Sequence, residues 1–225
     1  MEIQFPLIIL NFKTYSESSG KKGIFLAKTA EKVAHETGVS IVVAPNHSLL
    51  GLVASSIDIP VFAKSVDSMT PGSHTGWIVP ENLATAGVRG VLINHSEHPV
   101  PLESIKQCIS LSGSEHLMTV VCARDAATSE IIAGVNPGAV AMEPPELIGS
   151  GISVTTRPDV VRDTVRRVKA VNKTTKVIVG AGITNGRDVQ ESLSLNAEGV
   201  LLASGFVQSK SPEKTLLEMA KMCIK

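Results

Sequence analysis

The chain has 225 residues and a mass of 23.7 kDa, with 43% hydrophobic and 19% charged residues, so a substantial core can be buried. Lys plus Arg and Asp plus Glu are both 21, giving a formal net charge of zero. That balance removes the bulk electrostatic drive toward nucleic acid or an anionic membrane, and any anionic ligand must be held by a local site.

The N-terminal stretch MEIQFPLIILNFK carries an apolar run too short to span a membrane and lacks the basic start of a signal peptide. The three cysteines, Cys108, Cys122 and Cys223, are odd in number and form no CxxC, which argues against a disulfide framework. The expectation is a soluble protein of a reducing compartment, the cytoplasm, with no nucleic-acid and no membrane partner.

In chain order, PLIIL at 6–10 reads as a first strand, followed by a helix with Leu26, Ala30 and Val33 on one apolar stripe. SIVVA (40–44), PVFA (60–63), GVLI (90–93), MTVVCA (118–123) and AVAM (139–142) continue the series of short apolar runs. Thr156, with Asp159 three residues on, offers a helix start ahead of the stripe Val161, Val165 and Val168. KVIV (176–179) precedes a helix signalled by Asn185 and Asp188. GVLLA (199–203) precedes one signalled by Ser211 before Pro212, with Leu217, Ala220 and Ile224 as its stripe. None of the eight runs alternates with polar residues, so each strand is buried on both faces, as in a parallel sheet. No linker divides the chain. Eight strand–helix repeats over residues 1–225 predict one (β/α)8 barrel domain, with a doubly wound open sheet as the alternative.

In such a barrel, working groups sit where strands end. The first strand gives Asn11 and Lys13, the fourth gives Asn94, His95 and Glu97, and the sixth gives Glu143. The seventh and eighth give the small-residue turns GAGI (180–183) and ASG (203–205). Each has an ordinary explanation by itself: a solvated lysine, a structural histidine, a paired carboxylate, tight turns. Together they fall at one end of successive strands. The turns can bring backbone N–H groups close to a phosphate, with Lys13 adding a point charge. Glu143 is a candidate base, and His95 and Asn11 can stabilise a developing oxyanion. The set points to proton abstraction next to a carbonyl in a small phosphorylated substrate, with no metal and no redox cofactor required. The NHSEH stretch spaces His95, Glu97 and His98 too tightly for a metal-ligand set.

The stretches NFKTY (11–15), SHTG (73–76), NHSE (94–97), EPPELIGSG (143–151), GAGI (180–183) and GVLLASG (199–205) occur in the order of a known family. The chain resembles the triosephosphate isomerases in their short, archaeal form, over essentially its whole length. The resemblance implies a single (β/α)8 TIM barrel and a homo-oligomer, at least a dimer, with a tetramer also known among archaeal members. It implies interconversion of glyceraldehyde 3-phosphate and dihydroxyacetone phosphate through an enediolate. Glu143 would be the base, His95 the neutral electrophile, and Lys13 and Asn11 would hold the substrate. The main chain near Ile148, Gly182, Ala203 and Ser204 would grip the phosphate, with Glu97 behind the site. Pro144, Pro145, Glu146, Leu147, Ile148, Gly149, Ser150 and Gly151 would form a lid, stiff at the prolines and pliant at the glycines.

Two departures stand out. PPE replaces the tryptophan at the common lid hinge, as in the archaeal branch. Trp77 and His98 replace an ion pair that the common form places near the subunit contact. A less ionic contact around Ser73–Trp77 follows, with Thr75 reaching the partner's site. Two other readings remain at this point: another phosphate-binding barrel, which would lack the Lys13, His95 and Glu143 set, and a metabolite-binding sensor, which that set argues against.

Overall fold

The computed structural model describes residues 2–144, 153 and 156–224. Eight strands, β1 (Leu7–Asn11), β2 (Ser40–Ala44), β3 (Phe62–Ala63), β4 (Gly90–Ile93), β5 (Met118–Ala123), β6 (Ala139–Met142), β7 (Lys176–Val179) and β8 (Gly199–Leu202), form one sheet. Their order is β2-β1-β8-β7-β6-β5-β4-β3, and every ladder is parallel. A single parallel bridge, Val43 with Val61, joins the sheet's two ends. The strands therefore wrap into a barrel, and the open-sheet alternative falls away.

Helices α1 (Gly20–Thr37), α2 (Leu50–Ala54), α3 (Pro80–Thr85), α4 (Leu102–Ser114), α5 (Ala126–Ala133), α6 (Pro158–Val171), α7 (Gly186–Ser194), α8 (Ser204–Val207) and α9 (Pro212–Lys221) connect or follow the strands. The stripe of α1 is buried as read, at Leu26, Ala30 and Val33. In α6, Val161 and Val168 are buried and Val165 is half-buried. The stripe read for α9 is displaced. Leu216, Met219 and Ala220 are buried, whereas Ile224 lies past the helix end and is exposed. Asn185 caps α7 by accepting from the Asp188 N–H at 3.1 Å. Thr156 does not cap α6, because Pro158 takes the first helical position and leaves Thr156 one residue too early. Its hydroxyl donates instead to the Ser153 carbonyl. Ser211 occupies the cap position of α9 without a side-chain bond.

Residues two apart on a strand share a face. The interior cluster takes Leu7, Ile9, Val42, Phe62, Leu92, Val120, Ala139, Ala141, Ile178 and Leu201. The alternate residues, among them Ile8, Leu10, Val43, Val91 and Val140, pack outward against the helices. Both faces are therefore apolar, which is why no strand alternates in sequence. Burying each large aliphatic contributes about 1.5–3 kcal/mol. Where β8 begins, the two neighbouring strands approach closely: a Cβ on Gly199 would lie 2.4 Å from the Leu7 carbonyl oxygen.

Candidate active site

The interior parity continues past the apolar layers. Asn11 follows Ile9 by two, Lys64 follows Phe62, Glu143 follows Ala141 and Gly180 follows Ile178. At the fourth strand the alternation is broken. Asn94 sits at φ 61°, a left-handed conformation that asparagine tolerates. Its side chain donates to the Cys122 carbonyl at 2.9 Å and accepts from the Val100 N–H at 3.0 Å. This turn brings His95, which parity alone would send outward with Val91 and Ile93, onto the mouth of the barrel.

His95 Nε2 lies 3.6 Å from Glu143 Oε1, too far for a hydrogen bond, so ring and carboxylate stand side by side without one. The Glu97 backbone N–H donates to His95 Nδ1 at 3.2 Å. A donor aimed at Nδ1 requires a lone pair there, so this contact selects the neutral ring with its proton on Nε2, facing Glu143.

Glu143 is 2% exposed. Burial pushes its carboxyl above the ordinary 4.5, opposed in part by His95, by a hydrogen bond with the Cys122 side chain, and by Lys13. Oε2 has no hydrogen-bond partner among the described residues. Burial, and then Glu143, hold the Cys122 thiol well above its usual value. Cys122 is thus a protonated neighbour of the acid and no thiolate nucleophile. Across the mouth, a Cβ on Gly180 would lie 2.4 Å from Glu143 Cγ and 2.9 Å from Oε1. The missing side chain at 180 is what gives the carboxylate its place.

Lys13 Nζ pairs with Glu97 Oε1 at 2.6 Å. Its backbone is left-handed, at φ 45°, which costs a residue with a side chain on the order of 1–3 kcal/mol. Asn11 Oδ1 accepts from the Lys13 N–H at 3.0 Å, so Asn11 shapes this turn.

Lys13, His95, Glu143, Gly182, Ala203 and Ser204 line one cavity of about 150 Å³. Gly182, at φ 70°, needs the freedom of glycine. Asp188 Oδ2 accepts from the Thr184 N–H and hydroxyl at 2.8 and 3.0 Å and fixes the turn after β7. Ser204 opens α8. The Phe206 and Val207 amides donate to the Ala203 carbonyl, which leaves the Ser204 and Gly205 amides as the ones that could meet a ligand. Asn11 does not line this cavity, and Thr75 lies on the exposed loop 73–77, away from it. Pro144 is buried beside Glu143, while lid residues Pro145, Glu146, Leu147, Ile148, Gly149, Ser150 and Gly151 lie outside the described residues. A larger cavity, about 780 Å³ and lined by Glu2, Arg89 and His116 among others, opens at the opposite end of the barrel.

Two residues of the rim were not singled out from the sequence. Lys64 donates to Asn46 Oδ1 at 2.8 Å and to the Lys13 carbonyl. The available signal was parity, since both follow interior residues, Phe62 and Ala44, by two.

A parallel eight-stranded barrel with an acid and a neutral imidazole side by side at its C-terminal rim falls in the class of (β/α)8 enzymes. The family model described as triosephosphate isomerase matches residues 6–223. A triosephosphate isomerase of Methanocaldococcus jannaschii is 47% identical over 216 residues, covering 96% of this chain and 99% of that protein. One of Pyrobaculum calidifontis is 48% identical over 220 residues, covering 97% and 96%. The chain belongs to the triosephosphate isomerase family.

Two predictions follow from the seat of Glu143. Gly180→Ala pushes the carboxylate off its position, and kcat falls about 100-fold, the size expected of a misplacement near 1 Å. Steady-state kinetics alongside a melting curve check this, and unchanged kcat refutes it. Glu143→Gln tests the burial cost. A carboxyl raised above its unfolded value supports the fold when protonated, and that support is lost as pH rises through the folded value. The amide variant therefore melts higher than the parent at pH 7, and the difference closes below the ordinary 4.5. Equal melting temperatures at pH 7 would contradict the burial cost.

Proposed function

We propose that this chain interconverts D-glyceraldehyde 3-phosphate and dihydroxyacetone phosphate by proton transfer through an enediolate, a step of glycolysis and gluconeogenesis. One observation carries the reading: a buried carboxylate and a neutral Nε2–H imidazole stand 3.6 Å apart on the wall of one cavity that also meets two small-residue turns. Both groups face that cavity, so a substrate carbon pair lying in it meets the carboxylate and the ring together. Glu143 takes the proton from one carbon and returns it to the other, and its raised affinity for protons suits a base that must also act as an acid. His95 Nε2–H polarises the carbonyl and moves protons between the two oxygens. Lys13, its turn shaped by Asn11, stabilises the enediolate and the phosphate. The turns at Gly182 and Ala203–Ser204, with Ile148 from the lid, grip the phosphate. Residues 144–151 close over the intermediate and exclude water. Glu97 supports both Lys13 and His95.

The whole of 1–225 serves as one catalytic domain, at work in the cytoplasm. No helix among the described residues is long and apolar enough to cross a membrane. The working form is at least a homodimer, the tetramer being the larger arrangement, joined through Ser73–Trp77 with Thr75 directed to the partner's site. Support comes from Trp77, an aromatic side chain 50% exposed within an exposed loop.

Turnover of either triose phosphate, with Glu143→Asp and His95→Asn beside the parent, tests the chemistry. The parent is active, and each variant loses about 100-fold or more. No turnover by the parent, with phosphate analogues still bound, sinks the reading. Trp77 is the only tryptophan, so its emission reports the contact. Light scattering gives a dimer or larger with blue-shifted emission; a monomer refutes the contact.

A further inference from the structure

Three turns at the rim meet at one ammonium. Lys64, the first residue after β3, donates to the carbonyl of Lys13 and, at 2.8 Å, to Asn46 Oδ1. Asn46 in turn donates to the Ser18 carbonyl at 3.3 Å. Ser18 is fully buried and donates to the Phe12 carbonyl at 2.8 Å, so the chain of bonds returns to the turn that carries Lys13. That turn holds Lys13 in a left-handed conformation, φ 45°. Such a conformation persists in a residue with a side chain only when its surroundings fix it.

We propose that Lys64 is a positioning residue for the reaction: it clamps the left-handed Lys13 peptide and so sets where the Lys13 ammonium stands in the mouth. The inference rests on the reading that Lys13 engages the phosphorylated triose.

The residue type suits the task. An ammonium carries three donors and no acceptor, and here two acceptors converge on it. Charge-assisted bonds of this kind are about twice as strong as neutral ones. Partial burial lowers the affinity of Lys64 for its proton, with Glu97 opposing, to a pKa of about 8. The charged and titratable groups around it come from each neighbouring turn. They are Lys13 after β1, His47 after β2, Asp67 beyond β3 and Glu97 after β4. His47 is held below its ordinary value by burial, with Lys64 adding to the effect, so it gives up its proton before Lys64 does. As pH rises through about 8, Lys64 loses its charge and both bonds weaken, which loosens the Lys13 turn.

The experiment compares the parent with Lys64→Met, which removes the donors at similar length, and Lys64→Gln, which keeps a neutral donor at every pH. The readouts are kcat and KM for glyceraldehyde 3-phosphate between pH 6.5 and 9.5, with melting curves to establish that each variant is folded. Lys64→Met loses about 10- to 100-fold in kcat/KM, the range of a small misplacement, and Lys64→Gln restores most of it. The parent's kcat/KM steps down through about pH 8, and Lys64→Gln shows no step there. Parent and Lys64→Met with kcat/KM within twofold, or parent and Lys64→Gln with superposed pH profiles, overturns the clamp. A parent that turns over neither triose phosphate refutes the functional reading beneath it, a result distinct from either of these.

Discussion

Interior space in the barrel is filled by alternate residues of eight strands, and at the C-terminal end that filling changes from apolar to polar. Leu7 and Ile9 are followed on the same face by Asn11, Phe62 by Lys64, Ala139 and Ala141 by Glu143, and Ile178 by Gly180. The side chains below are fully buried and close-packed, so the polar layer above has a solid floor and opens in one direction only. Every other feature of the mouth depends on this. Glu143 is buried because its strand neighbours are, and it is reachable because the layer above it is a rim.

The same placement sets function against stability. A carboxylate with 2% exposure and one oxygen without a partner among the described residues is costly to ionise. The surroundings lessen that cost only in part: His95 opposes it most, then a hydrogen bond with Cys122, then the Lys13 charge. The backbone of Glu143 compensates by being well held, its N–H donating to the Ala123 carbonyl at 2.8 Å. A destabilised acid on a fixed stem suits a group that must gain and lose a proton in place, and the empty side of Gly180 gives it room.

Much of this was legible in the sequence because burial on both faces leaves uninterrupted apolar runs. All eight strands fall on such runs, although β3 shortens to Phe62–Ala63, since only two of its residues pair with β4. The rim acids and bases could be listed by reading the residue after each run. What could not be read were relations across strands. The inward aim of His95 depends on the left-handed Asn94, and Asn94 on the Cys122 carbonyl 28 residues on. The need for glycine at 180 is legible only once Glu143 is known to stand opposite. Asp125 caps α5 by accepting from the Thr128 N–H at 2.7 Å, a local signal of the same kind as Asn185 before α7. The α9 stripe was read in the wrong register because Leu217 and Ile224 are as apolar as the residues that are buried. Periodicity cannot rank equals.

Lys13 shows how the layer combines fixity with movement. Its ammonium is tied to Glu97, whose side chain is 56% exposed, and a pair so open to solvent is worth about 1 kcal/mol or less. The ammonium can therefore turn from Glu97 toward an incoming anion at small expense. Its peptide cannot follow. The Asn11 carboxamide holds the N–H, and Lys64 holds the carbonyl. Binding energy from the anion then goes into reorienting a side chain and leaves the backbone strain as it was, because that strain was met when the protein folded. With both ends of the peptide held by neighbouring side chains, the entropy of placing the cation is lost before substrate arrives. Preorganisation of this kind favours the transition state, where charge on the oxygens is greatest.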